Sequence, residues 1–214
     1  YSDTLLTGLT DKHFIADKEF PAYAADNAMV YVKSSYKQVP VFVELRNGVE
    51  RKIRTRDVSL DNQFSYKNGK IIYASYRPDK RWSWNDYSEL KYFSPDISTN
   101  GKAVIAVDVK PGGNNTLHIV NATNGIVEKI LPNESKYFYT YPKWINDTSA
   151  VAAVRNNLGQ MALLKINTMN GNEQPLTPFS WRVLGFPMVK GDSVYFTASN
   201  GADDQLCAYL LSTN

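Results

Sequence analysis

The chain has 214 residues, 43% hydrophobic and 13% aromatic, with a formal net charge of +3. That length suits one globular domain with ample core, and its interspersed acids and bases leave no footprint for nucleic acid. The single cysteine, Cys207, rules out a disulfide framework, and no apolar run is long enough to insert in a membrane as a helix.

From the N-terminus, the pattern predicts a strand over Thr4–Leu9 and a loop carrying His13 and Phe14. Pro21-Ala22-Tyr23 follows, then a strand over Met29–Val32 and a loop with Tyr36. The basic run Arg46–Arg56 is interrupted by Glu50 and alternates with Val49 and Ile53, as a solvated outer strand does. Phe64-Ser65-Tyr66 leads into a strand over Lys70–Ala74, and the polar loop Arg77–Asp86 holds Trp82 and Trp84. Pro95-Asp96-Ile97 precedes strands at Ala103–Val107, Thr116–Asn121 and Ile126–Leu131. After Tyr137-Phe138-Tyr139, Pro142-Lys143-Trp144 opens the next unit, with strands at Ala150–Val154 and Glu173–Thr177. Phe179 and Trp181 then lead to Pro187-Met188-Val189 and strands at Ser193–Thr197 and Leu206–Leu211.

Five copies of one pattern are present: an aromatic or Pro anchor, an apolar residue two positions on, a turn, and an apolar strand. Asn-Gly pairs begin at 47, 68, 100, 124, 170 and 200. Both residues tolerate positive φ, so these pairs favour tight hairpins. The result is an all-β chain. The intervals Tyr23 to Tyr66, Ile97 to Trp144 and Trp144 to Val189 fit four-stranded propeller blades of roughly 40–50 residues. The interval from Tyr66 to Ile97 is short by about a dozen. It implies a segment missing near Leu90, because a blade without its outer strand exposes a sheet edge. The two chain ends together make one more unit of the right length. The expected fold is therefore a β-propeller of about five blades over residues 1–214, alone or within a longer chain. The N-terminal strand Thr4–Leu9 completes the last blade and closes the ring.

The run Phe93-Ser94-Pro95-Asp96-Ile97-Ser98-Thr99-Asn100-Gly101-Lys102, continuing through Leu117–Asn121 to Thr123-Asn124-Gly125, resembles the TolB-type, WD40-like propeller repeat. The fourth unit departs from it: Tyr141 and Lys143 replace Ser and Asp, and Asn146-Asp147 replaces the Asp-Gly turn. The other units match more loosely. The resemblance implies a scaffold that binds proteins or peptides, and its family includes propellers that gate or dock substrate for peptidases. The Tyr- and Asn-rich style is similar to that of secreted or periplasmic proteins of Bacteroides-like bacteria, which implies an extracytoplasmic location.

Residues that could carry chemistry are few. His13 reads as a loop residue and His118 as an exposed strand-face residue. No His/Cys pair has metal-ligand spacing, and no nucleophile elbow, phosphate loop or dinucleotide fingerprint occurs. Asp203-Asp204 lacks the order of a calcium loop. The sequence therefore points to a non-catalytic segment without metal or cofactor.

In a propeller, loops from an outer strand to the next inner strand share one face with the loops between second and third strands. Mapping these loops gathers Tyr36, Arg77, Arg81, Trp82, Trp84, Tyr137 and Trp181 as candidate binding residues. Aromatics and arginine are the types that anchor interfaces. Trp82 and Trp84 flank Ser83 and point the same way if extended, which also admits a glycan-binding module. Phe14, Phe138 and Phe179, each ahead of an anchor, are expected to tuck between blades, and Tyr23, Tyr66, Ile97, Trp144 and Val189 to lie in the core.

Overall fold

A computed structural model describes residues 17–23, 28–35, 38–53, 59–67, 69–76, 92–110 and 112–213. The described regular structure is all β apart from one short 3-10 turn at Leu211–Thr213. The chain forms two compact units, residues 1–84 and 85–214.

The described residues of the first unit form two antiparallel sheets. One has the strands β1 (Asp17–Tyr23), β2 (Ala28–Ser35), β3 (Gln38–Arg46) and β4 (Val49–Ile53), paired in chain order. The other pairs β5 (Ser59–Lys67) with β6 (Lys70–Tyr76). Asn47 and Gly48 take φ of 51° and 78°, so Asn-Gly makes the β3–β4 hairpin as its positive-φ tolerance requires. Val30, Val32 and Phe42 pack against Phe64, Tyr66, Ile71 and Tyr73 to join the two sheets. The Phe42 ring meets Phe64 and Tyr73 edge-on at 4.9 and 5.1 Å. β4 is the exposed outer strand expected of the basic run, with Arg51 paired to Glu44.

The described residues of the second unit form three sheets. The strands β7 (Tyr92–Ile97), β8 (Ala103–Val109), β9 (Asn115–Asn121) and β10 (Val127–Ile130) form one. The strands β11 (Phe138–Asn146), β12 (Ser149–Arg155), β13 (Met161–Asn167) and β14 (Glu173–Pro175) form the next. The last has β15 (Leu184–Lys190), β16 (Ser193–Asn200) and β17 (Asp203–Leu210). β17 starts three residues before the predicted strand, because Asp203 and Asp204 pair with Asn200 and Ser199 right up to the Gly201 turn.

Each sheet contains one copy of the repeat, with its anchor in the first strand. Every first strand also breaks register at its anchor or just ahead of it: between Glu19 and Ala22, Leu60 and Phe64, Phe93 and Asp96, Thr140 and Lys143, and Gly185 and Met188. Proline explains four of these bulges, since it has no N–H for the ladder. The residue before it pays in backbone strain: Ser94, Tyr141 and Phe186 hold φ of 49°, 50° and 49°.

The middle sheet of this unit is buried on both faces. Ala150, Ala152 and Val154 of β12 face a core shared with Ile105, Val107, Leu117 and Ile119 of the preceding sheet. Val151 and Ala153, alternating with them, face a second core with Leu184, Val194 and Phe196 of the last. Alternation thus serves two cores, and the whole run Ser149–Val154 is buried. Two positions past their anchors, Ile97 and Trp144 are buried, and Tyr66 and Val189 are half-buried against their clusters. The side chain of Tyr23, and the proposed closing strand Thr4–Leu9 and the junction near Leu90, lie outside the described residues.

Side-chain amides and carboxylates tie neighbouring sheets together. Asp96 Oδ2 accepts the Trp144 N–H at 2.9 Å, and the Asp96 carbonyl accepts the Trp144 indole N–H at 3.0 Å. Asn115 acts as a short piece of strand: its Nδ2 donates to the Tyr139 carbonyl and its Oδ1 accepts the Tyr139 N–H, both at 3.1 Å. Pro132, just after β10, fits against Gly171 in the β13–β14 turn, and Lys129 Nζ donates to the Met169 carbonyl at 2.8 Å.

Candidate functional site

In an antiparallel meander the turn between second and third strands lies at the end where the first strand begins. That end of the middle sheet brings together the β12–β13 turn (156–160), the start of β11, and the connections 131–137 and 176–183. Each has a specific local cause. Asn156 Oδ1 accepts the N–H groups of Leu158 and Gln160 at 3.0 and 2.9 Å, and Gly159 supplies φ of 87° to close the turn. Asn133 Nδ2 donates to the Tyr137 carbonyl, and its Oδ1 accepts the Tyr137 N–H, fixing the bend ahead of β11. Thr177 Oγ1 accepts the Leu163 N–H where β14 has ended. Ser180 and Met161 exchange backbone hydrogen bonds at 2.8 and 3.0 Å, which lays 176–183 along the β12–β13 hairpin.

The connection so placed projects Trp181, which is 74% exposed. Its ring rests over Gly159, where an added Cβ would lie 3.5 Å from the ring. Leu158, Val183 and Phe138 at the same end are 70%, 57% and 42% exposed. Phe138 stands opposite Arg155 in the ladder, and Arg182 is held by Nε–H donation to the Ser199 carbonyl at 2.7 Å. Tyr137 is half-buried with its ring 5.3 Å from that of Phe179. Isolated apolar side chains are ordinary on a surface. A tryptophan grouped with Leu, Val and Phe and flanked by two arginines has the composition of an interface core.

Of the predicted site residues, the structure places Tyr137 and Trp181 at this one end. Tyr36, Arg77, Arg81, Trp82 and Trp84 lie outside the described residues. Phe179 packs toward the core as expected, whereas Phe138 does not. Tyr139 takes the inward position because strand parity turns adjacent side chains to opposite faces. Leu158 and Val183 were not singled out in the sequence; the only signal for Leu158 was its hairpin tip between two apolar runs.

His118 is a correction: it is buried, not exposed. It lies on the face of its sheet opposite Leu117 and Ile119, in a polar cluster. The Tyr92 hydroxyl is 3.0 Å from Nδ1, Thr116 Oγ1 is 3.2 Å from Nε2, and Asp108 Oδ2 is 3.5 Å from the same Nε2. Burial, then the Asp108 charge, push the Tyr92 phenol pKa up. A hydrolytic relay needs acid and nucleophile on opposite ring nitrogens. Here Thr116 and Asp108 share Nε2 while the Tyr92 phenol meets Nδ1, and the cluster satisfies buried polar groups. Among the described residues, no group of three or more His, Cys, Asp or Glu side chains could hold a metal ion. No described helix is long and apolar enough to cross a membrane.

No family model matches the sequence, and no curated protein matches it. Solved structures do. A putative TolB from Agrobacterium tumefaciens is 14% identical, with a TM-score of 0.65 over 92% of this chain and 81% of that one. The β-propeller domain of the Trilobed protease from Pyrococcus furiosus is 12% identical, with a TM-score of 0.53 over 91% and 82%. A prolyl endopeptidase is 11% identical, with a TM-score of 0.56 over 92% of this chain. The chain spans 34% of that endopeptidase and 51% of TolB from Acinetobacter baumannii. Likeness at these identities establishes the fold, a TolB-like β-propeller architecture.

Proposed function

We propose that this chain is a non-catalytic propeller scaffold that binds a protein or peptide through its aromatic-rich loop face, in an extracytoplasmic compartment. The observation that carries the reading is Trp181, largely exposed and braced over Gly159 among Leu158, Val183 and Phe138. A braced aromatic loses little conformational entropy on binding and fills a partner's pocket well, as hot-spot residues do. Tyr137 stands at the same end of the sheet, its ring against that of Phe179, and the sequence pattern assigns Tyr36, Arg77, Arg81, Trp82 and Trp84 to loops of the same kind.

A second reading has its own support. The chain matches the propellers of peptidases and spans 34% of the prolyl endopeptidase. In that reading the segment is the accessory, substrate-gating propeller of a peptidase or other hydrolase, and its partner is a catalytic domain.

Selection from a displayed random peptide library separates binding from mere exposure. Wild-type protein serves as bait and Trp181→Ala as counter-bait. Peptides enriched on the wild type should bind the Trp181→Ala protein at least about tenfold more weakly, with the thermal melt unchanged. Enrichment that ignores Trp181 would remove the loop face from the proposal. Sequencing the gene on both sides of this segment tests the second reading, which needs a hydrolase domain on the same chain.

A further inference from the structure

The loop end of the middle sheet has one cation fixed in its ladder. Phe138, Arg155 and Met161 stand opposite one another across β11, β12 and β13, and Met161 pairs onward with Ser180. Residues paired in this way share one face of the sheet. Arg155 closes the hairpin turn that carries Leu158 and Gly159, and Trp181, the residue after Ser180, covers Gly159. The exposed Arg155 thus lies between Phe138 on one side and Leu158 with Trp181 on the other. Neighbouring strands are about 4.8 Å apart, so the row from Phe138 to Ser180 spans about 14 Å. An extended peptide covers that length with three alternate side chains on one face.

Arg155 has donors to give. Its Nη2 lies 3.9 Å from Met161 Sδ, a weak acceptor, and among the described residues no carboxylate is paired with it. The other charges of this end are balanced or engaged. Glu134 and Lys136 stand two residues apart in the bend ahead of β11. Arg182 donates to the Ser199 carbonyl and to Gln205 Oε1 in the last sheet, where Asp204 pairs with Ser199. The centre of the patch is therefore positive.

We propose that the partner of this face is an extended peptide of the pattern apolar-x-acidic-x-apolar. Its carboxylate meets the Arg155 guanidinium, and its two apolar side chains meet Phe138 and the Leu158–Trp181 pair. The inference rests on the reading of this end as a peptide-binding surface and adds the chemistry of what it takes. A planar guanidinium fork matches both oxygens of a carboxylate, and such charge-assisted pairs are the stronger class of hydrogen bond. Apolar contacts on either side keep water from the pair, as the surround of a hot spot does. A basic segment would set like charges together at the centre.

The test uses three displayed peptide libraries, held internally so that no terminal carboxylate is present. All share the frame apolar-Ser-X-Ser-apolar, with X fixed as Glu, Gln or Lys. The Glu library is expected to yield binders that depend on Trp181, and the Lys library none. The best Glu peptide, made as an acetylated amide, should lose roughly tenfold in affinity for the wild type when its Glu becomes Gln. Against Arg155→Gln the same change should matter little, and the double-mutant cycle isolates that pairing. If Arg155→Gln melts early, Arg155→Lys replaces it, since it keeps the charge without the fork and should lose part of the preference. Equal yields from the Glu and Gln libraries, or a Glu preference that survives Arg155→Gln, overturns this inference. The peptide-binding reading would then still stand on any Trp181-dependent peptides from the fully random library.

Discussion

Asp96 shows how one side chain can do the work of a loop. It is 2% exposed, yet it accepts the Trp144 backbone N–H, lies 3.5 Å from Lys143 Nζ, and offers its own carbonyl to the Trp144 indole. Taking the side chain away leaves the buried Trp144 N–H without this acceptor, while the indole keeps its bond to the Asp96 carbonyl. Asp96→Ala is expected to cost roughly 2–4 kcal/mol, within the range for a buried charged hydrogen bond. Asp96→Asn keeps the acceptor but loses the charge, and should cost less. Urea unfolding of the two variants gives both numbers, and equal loss in both would mean that the charge, not the hydrogen bond, holds the strand. Asp96 was legible as part of a Ser-Pro-Asp motif, but its tie to Trp144 was not, because a single copy of a motif does not show which neighbour it grips. His118 was misread for a related reason. Leu117 and Ile119 fill one face of β9, and alternation then puts His118 on the other face, which a sequence reader assigns to water. That face instead carries Tyr92, Asp108 and Thr116, which close around His118 and bury it, so burial cannot be inferred from parity alone.

At the scale of elements, the repeat was the most legible feature, since anchor, turn and strand recur together and each copy forms its own sheet. The bulges were hidden, although proline predicts a lost ladder bond, because the sequence does not say where the extra residue goes. The second copy has Phe64 where the others have proline, and its break falls just ahead of Phe64, which itself pairs with Tyr73. The bulge thus recurs in this part of the repeat without proline, but shifts off the anchor when the residue there has an N–H to give the ladder. Contact between sheets is equally specific at Gly171. Its φ is 80°, and a Cβ there would lie 2.4 Å from Pro132 Cδ. At Gly113, φ is 85° and nothing lies within 4 Å of the added atom. Gly113→Ala should therefore cost only the left-handed conformational penalty of about 1–2 kcal/mol, and Gly171→Ala distinctly more, because β10 and the β13–β14 turn must move apart. Melting both variants checks the order; equal loss would show that Pro132 yields freely.

At the scale of the whole chain, buried phenols set an upper pH limit in both compact units. Burial first, and then the neighbouring Glu50 carboxylate, push the Tyr31 pKa far above its ordinary value in the first unit. In the second, burial and then Glu173 do the same for Tyr139, and burial with Asp108 raises Tyr92. In the unfolded chain all three ionise near pH 10. Below that pH, folded and unfolded states hold the same phenolic protons, and these groups contribute no slope. Above it, the unfolded state releases protons that the folded state retains, so the stability these phenols contribute is lost as pH rises further. The urea midpoint should be flat on the neutral side of pH 10 and fall on the alkaline side. Lysine deprotonation occurs in the same range, so the discriminating comparison is Tyr139→Phe. This variant removes one raised phenol and should lose less stability than the wild type over the same alkaline step, despite being weaker at neutral pH for want of the Glu173 hydrogen bond. Tyrosinate absorbance supplies the independent check: in the folded protein a subset of tyrosines should ionise only as unfolding begins, and that subset should shrink by one in Tyr139→Phe.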